Sequence, residues 1–243
     1  VWAMPRLGTF NVHAALLPQY RGAAPINLAV INGETETGVT TFFLDKDIDT
    51  GRIILQKPFA IPDTPDVQYV YDGLMHLGAQ IARETIDLIA SKLPEEDLIG
   101  VDFTHILEEI SVPQGHEDKV LHAAPKIFKE TCVINWNQSA KTVYDFVRGL
   151  SPYPGTWSEL YSESSNIKPI VIKIFKKAKT EQPAVDAIGT LVVRKNQFYV
   201  NTADYLLELL ELQVSGKKRM DARAFLNGFK DIDTYRFKAV NIK

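Results

Sequence analysis

The stretch 65–91, PDVQYVYDGLMHLGAQIARETIDLIAS, limits the possible folds more than any other. Val67, Val70, Leu74, Leu77, Ile81, Ile86 and Ile89 recur at three-to-four spacing, which predicts a long helix with one apolar face. Such a face needs a sheet to cover, and the residues before it supply one. Residues 9–13 read as a short strand. Residues 25–32 read as a short helix opened by Pro25, whose missing N–H costs nothing in a first turn, and stopped by Gly33. Residues 37–44 (TGVTTFFL) are rich in β-branched and aromatic side chains and read as a strand. Residues 52–61 read as another, ended by Pro62. The polar turn DKDIDTG lies between these two, which suits an antiparallel hairpin with a broad loop. Strand and helix alternate, so the expected class for this half is α/β.

The second half has a different texture. Residues 92–124 are irregular, with Pro94, Pro113 and Gly115, and read as a linking region with short strands near Ile106 and Ile110. A helix is expected over 139–150, with Ser139 as its cap. The turn SPYPGTW follows at 151–157. Short strands are then expected at 170–175, 189–194, 197–202 and 206–214, a spacing that suits a small β-barrel. A last helix is expected at 222–228. The expected organisation is a domain over 1–112, a linker over 113–122 and a second domain over 123–243.

Composition excludes more than it selects. The 243 residues carry a net charge of -3, so a polyanionic partner would have to be met by a local basic patch. Cys132 is the single cysteine, which rules out an internal disulfide and fits a reducing, cytoplasmic setting. As a lone cysteine it reads as a core filler. No run of eighteen apolar residues marks a membrane span. P-loop, G-x-G-x-x-G, G-x-S-x-G and zinc-ligand spacings are also absent from the sequence.

The polar punctuation at 10–27, FNVHAALLPQYRGAAPIN, is the first candidate site. Residues two apart on a strand share a face, so Asn11 and His13 point together at the end of the first strand. An amide N–H₂ and an imidazole N–H aimed at one spot suit an oxyanion, and imidazole moves protons near neutral pH. The same pair could also simply cap a strand end. Asp45, Asp47 and Asp49 form a second cluster. The Gly and closing Glu of a calcium loop are missing, and a solvated turn accounts for Asp45 and Asp47. Asp49 precedes Thr50-Gly51, where a sharp reversal can aim a carboxylate inward at His13.

These residues resemble a known family. The run N-V-H-A-A-L-L-P-Q-Y-R-G-A-A-P-I-N, followed by L-D-K-D-I-D-T-G, is similar to the formyltransferases that use 10-formyltetrahydrofolate. Their motif is Asn-x-His, a Ser-Leu-Leu-Pro-like loop, and an Asp-x-Gly turn. The R-G-A-A-P-I block resembles the branch that acts on methionyl-tRNA, as do V-I-N-W-N-Q-S-A, V-R-G-L-S-P-Y-P-G-T-W and S-G-K-K-R-M-D-A-R-A-F-L-N-G further on. The resemblance implies a Rossmann-like α/β domain and an OB-like C-terminal barrel. It implies an enzyme of translation initiation that formylates the α-amine of initiator methionyl-tRNA without a metal. By the same resemblance Asn11, His13 and Asp49 are the catalytic trio, and Ala15, Leu16, Leu17 and Pro18 match the folate loop. Position 15 departs from the family's usual Ser. The family's first strands and helices, and an insertion that contacts tRNA, would lie before Val1.

Expected tRNA contacts are Arg21, Lys126, Lys129, Lys141, Arg148, Lys217, Lys218 and Arg219. The Gly-Lys-Lys-Arg turn is the strongest group, since three adjacent cations repel without a polyanion. Lys173, Lys176, Lys177 and Lys179 form another run. A monomer with no membrane partner is expected. The alternatives are a sibling enzyme acting on another substrate and a truncated, catalytically impaired chain that only binds tRNA.

Overall fold

A computed structural model describes residues 3–95, 102–115, 120–162, 168–229 and 231–239. Contacts divide the chain into two compact units: Val1–Ala29 with Glu34–Lys126, and Val30–Gly33 with Ile127–Lys243. The division falls after Lys126, a few residues beyond the expected linker over 113–122, of which 116–119 lie outside the described residues. The reason is local. Ala123 and Ala124 pair in parallel with Arg21 and Gly22, which ties this stretch to the first unit.

The first unit contains β1 (Phe10–His13), β2 (Arg21–Gly22), α1 (Pro25–Ile31, whose last two residues are grouped with the second unit), β3 (Glu36–Phe43), β4 (Ile53–Ala60), α2 (Val67–Ser91), α3 (Thr104–Glu109) and β5 (Ala123–Ala124). β1, β3 and β4 form an antiparallel sheet in that order, and α2 packs against all three. Asp66 caps α2, accepting from the Gln68 amide at 3.1 Å. Val67, Val70, Leu74 and Ile81 are buried on the sheet side, as the spacing predicts, but Ile86 is 56% exposed. Thr85, four residues after Ile81, takes the inward position instead. Its hydroxyl bonds the Ile81 carbonyl and the Thr41 hydroxyl, both at 2.8 Å.

The strands expected near Ile106 and Ile110 are instead the helical turns of α3. Two apolar residues four apart suit a helix face as well as a strand, and so short a stretch cannot separate the two by period.

The second unit contains α4 (Ala140–Gly149), β6 (Thr156–Ser162), β7 (Ile170–Pro183), β8 (Leu191–Arg194), β9 (Gln197–Asn201), β10 (Tyr205–Val214), β11 (Met220–Asp221), α5 (Ala222–Gly228) and β12 (Tyr235–Phe237). The sheet runs β12-β6-β7-β10-β9-β8, with β11 paired to β10. An antiparallel bridge between Thr190 and Arg236, and the Phe237 amide on the Gly189 carbonyl at 2.9 Å, bring the two edges together into a nearly closed barrel. Ser139 caps α4 as expected, accepting from the Thr142 amide at 3.1 Å. The core holds Trp136, Leu160, Ile172, Ile174, Phe198, Leu207, Leu209 and Phe237. The Trp136 ring stacks on Phe237 at 5.0 Å and its indole N–H reaches the Ser158 hydroxyl at 2.9 Å.

Candidate active site

β1 sets the site's first two residues. It pairs with β3 so that Asn11 faces Phe42 and His13 faces Thr40. Asn11 is exposed. Its Oδ1 accepts from the Val12 amide at 2.9 Å, and Nδ2 is the group it offers as a donor. His13 is 6% exposed, with the Phe42 ring edge-on at 6.3 Å. Its Nε2 lies 2.9 Å from the Tyr20 carbonyl oxygen. A carbonyl can only accept, so Nε2 carries the hydrogen. The other ring nitrogen, Nδ1, is 3.7 Å from Asp49 Oδ2, an ion-pair distance rather than a hydrogen bond.

Asp49 is aimed inward by its backbone. Its φ is +54°, a left-handed conformation that Asp tolerates better than most residues. Oδ2 accepts from the Gly22 amide at 2.9 Å, and the side chain is 13% exposed. Spacing alone misses what holds this turn from behind. Gln114 Nε2 donates to the Asp49 carbonyl at 2.9 Å and to the Gly51 carbonyl at 2.8 Å. Its Oε1 accepts from Arg21 at 2.6 and 3.1 Å. A glutamine in an irregular stretch carries no local signal of such a role.

The Ala15–Pro18 loop follows directly, and its backbone is pinned. The Thr40 hydroxyl donates to the Ala15 carbonyl at 2.6 Å and accepts from the Leu17 amide at 3.1 Å. Gln56 donates to the Leu17 carbonyl at 2.9 Å. Ala15 and Leu17 are buried, Leu17 against Phe42 and Ile53. The Leu17–Pro18 bond is cis. Leu16 borders a cavity of about 250 Å³ with Gln19, Tyr20, Glu34 and Thr37. On the Val12 face lies an apolar cavity of about 330 Å³, lined by Val12, Ala14, Ile26, Val39 and Leu74 among others.

The expected tRNA contacts divide by burial. Lys126, Lys129, Lys217 and Lys218 are exposed. Arg219 stacks its guanidinium 3.5 Å over the Phe175 ring and sits 3.4 Å from Glu211. Lys177 and Lys179 lie 4.3 and 4.9 Å over the Tyr144 ring. Arg21 is committed in part to Gln114. Arg148 departs from expectation: it is 1% exposed, and its Nε donates to Asp145 at 2.7 Å, while Lys141 reaches the same carboxylate. Placed on the amphipathic helix α4, it answers a buried charge rather than a phosphate. Removing it would leave Asp145 with Lys141 as its remaining cation, so the buried carboxylate would lose one of two partners.

Cys132 is buried, and burial pushes its thiol pKa up, away from a reactive thiolate. Among the described residues, no group of three His, Cys, Asp or Glu side chains is arranged to hold a metal ion. No described helix is long and apolar enough to cross a membrane.

A family model described as formyl transferase matches residues 1–86, and one described as formyl transferase, C-terminal domain, matches 126–230. In class, then, the chain is a formyl transferase, its α/β unit matching one family model and its barrel the C-terminal one. A methionyl-tRNA formyltransferase of Parabacteroides distasonis is 49% identical over 241 residues, 97% of this chain and 68% of the relative. One from Bacteroides fragilis is 48% identical over 245 residues, 99% of this chain and 70% of the relative. The chain belongs to the methionyl-tRNA formyltransferase family. Solved structures of lower identity share its fold. HypX from Aquifex aeolicus in complex with tetrahydrofolic acid matches with a TM-score of 0.59 and 17% identity, over 92% of this chain and 35% of that one. The N-formyltransferase of Helicobacter canadensis matches with a TM-score of 0.58 and 19% identity, over 87% of this chain and 66% of that one.

Proposed function

We propose that this protein transfers a formyl group from 10-formyltetrahydrofolate to the α-amino group of initiator methionyl-tRNA, in the cytoplasm and as a monomer. The observation that carries the mechanism is the facing of His13 Nδ1 and Asp49 Oδ2 at 3.7 Å, beside Asn11 at the end of one strand. The names of the close relatives support the substrate.

The free amine attacks the formyl carbon, a C–N bond forms, and the carbonyl oxygen gains charge. Asn11 Nδ2 donates to that oxygen. Loss of one such donor typically costs about 2.7–4 kcal/mol of transition-state stabilisation. The amine proton passes to His13 Nδ1, directly or through a water, and Asp49 stabilises the imidazolium that results. Collapse breaks the bond to the folate nitrogen, which takes that proton back from the His13 imidazolium as it leaves. The Ala15–Pro18 loop holds the folate through its fixed backbone. Lys126, Lys129, Lys217, Lys218 and Arg219 meet the phosphates of the tRNA.

His13→Ala and Asp49→Asn are each expected to lower kcat at least roughly a hundredfold. The measurement is formyl-methionyl-tRNA formed with time, identified by mass spectrometry. Near-normal turnover by either variant rejects these roles.

A further inference from the structure

The carbonyl that accepts from His13 belongs to a residue in an unusual state. Tyr20 has φ +58°, a left-handed conformation that a bulky side chain adopts only under strain. It is held there on three sides. The Tyr20 amide donates to the His122 carbonyl at 2.7 Å. The phenol donates to Glu34 Oε1 at 2.6 Å. The ring, 5% exposed with its residue, stacks on the His122 imidazole with centroids 5.7 Å apart and planes 20° from parallel. His122 is itself fixed through its amide to Gln19 Oε1 at 2.9 Å, and Gln19 also donates to the Val120 carbonyl at 3.0 Å. All of these residues belong to the first unit.

We propose that Tyr20 is a positioning residue: braced by Glu34 and His122, it holds its carbonyl on His13 Nε2 and so fixes the histidine in one tautomer. In that tautomer Nε2 bears the hydrogen and Nδ1 bears the lone pair. The opposite tautomer would set the Nε2 lone pair against a carbonyl lone pair at 2.9 Å, a repulsion in a buried place. With the tautomer fixed, the neutral ring presents only acceptors to the reaction side, Nδ1 and the Asp49 carboxylate. The group that completes this pair is a proton, and the attacking amine releases one. The importance of Nδ1 rests on the formyl-transfer reading; the tautomer itself does not.

The test reads the tautomer directly. Long-range proton–nitrogen correlation spectra of the histidine-labelled protein, taken where His13 is neutral, are expected to show a protonated Nε2 and a bare Nδ1. Tyr20→Phe and Glu34→Ala remove the phenol's hydrogen bond, and both nitrogen shifts of His13 should move toward the average of the two tautomers. In both variants kcat is expected to fall about tenfold with KM for either substrate little changed, because orientation and not binding is lost. Glu34→Gln keeps an acceptor for the phenol and should restore both the shifts and the rate. A neutral His13 protonated at Nδ1 in the parent protein overturns the proposal, as do unmoved shifts in both folded variants. If the parent protein makes no formyl-methionyl-tRNA, the reading of its function fails while the tautomer result still stands on its own.

Discussion

At the scale of single residues, the site depends on Gly22 as much as on its polar groups. Its φ is +126°, and its amide is the donor to Asp49 Oδ2. A Cβ placed there would lie 2.4 Å from the Ala124 carbonyl oxygen. Gly22→Ala is therefore expected to destabilise the first unit by at least about 2 kcal/mol, through backbone strain and backbone collision together. It should also lower formylation more than that destabilisation alone explains, because Asp49 loses its anchor. Denaturant unfolding and turnover measured on the same preparation check both parts. Asn11, His13 and Asp49 can be picked out from sequence because two-residue alternation and an Asp-x-Gly turn are local signals. Gln114 and Tyr20 cannot. Gln114 reaches Asp49 from 65 positions away, and what matters in Tyr20 is a carbonyl, which every residue has.

At the scale of elements, legibility follows how well side-chain polarity tracks burial. α2 and α4 read clearly because each has an apolar stripe and a capping residue, Asp66 and Ser139. β6 does not, because three of its four inward residues are polar. Thr156, Ser158 and Ser162 point inward while Trp157 and Tyr161 face outward, so a strand passes for the tail of a turn. β7 runs on past the expected residue 175 to Pro183, since its lysine-rich half still pairs with β10. One contact outside α4 helps start that helix. Asp204 accepts from the Ala140 and Tyr205 amides, each at 2.7 Å, and from the Thr202 hydroxyl at 3.1 Å. Burial alone would raise its pKa, but these hydrogen bonds outweigh it and hold the carboxyl below the usual range. A depressed folded-state pKa gives stability that is present above the unfolded pKa and lost as pH falls through the folded one. Asp204→Asn should lower the melting temperature of the second unit modestly at neutral pH, since the group is exposed and screened. It should have less effect in acid, below the ordinary carboxylate range. Calorimetry across that range reads the convergence.

At the scale of the whole molecule, the class of each half follows from pattern, and the division between halves does not. Alternating strand and helix give the α/β unit, and evenly spaced short strands give the barrel. The division after Lys126 depends on a two-residue parallel pairing that no pattern announces. Net charge is -3, so any hold on tRNA must be local. Affinity for initiator tRNA is expected to fall steeply with salt, with a log–log slope of about -0.7 to -0.9 for each phosphate neutralised. Lys217→Ala and Lys218→Ala should each make that slope shallower by about one. Arg148→Met, which removes a buried cation, should leave the slope unchanged in whatever fraction folds. Binding titrations at several ionic strengths separate these cases.

The stacking of Trp136 on Phe237 gives the barrel an optical signal of its own. The indole lies in the core with its N–H on Ser158, and the ring over it comes from β12, the strand whose Arg236 makes the bridge that joins the two sheet edges. A barrel that opens along that seam takes a wall away from the indole before the rest of the core is disturbed. Its fluorescence would then redden with the first breath of the seam and not only with complete unfolding.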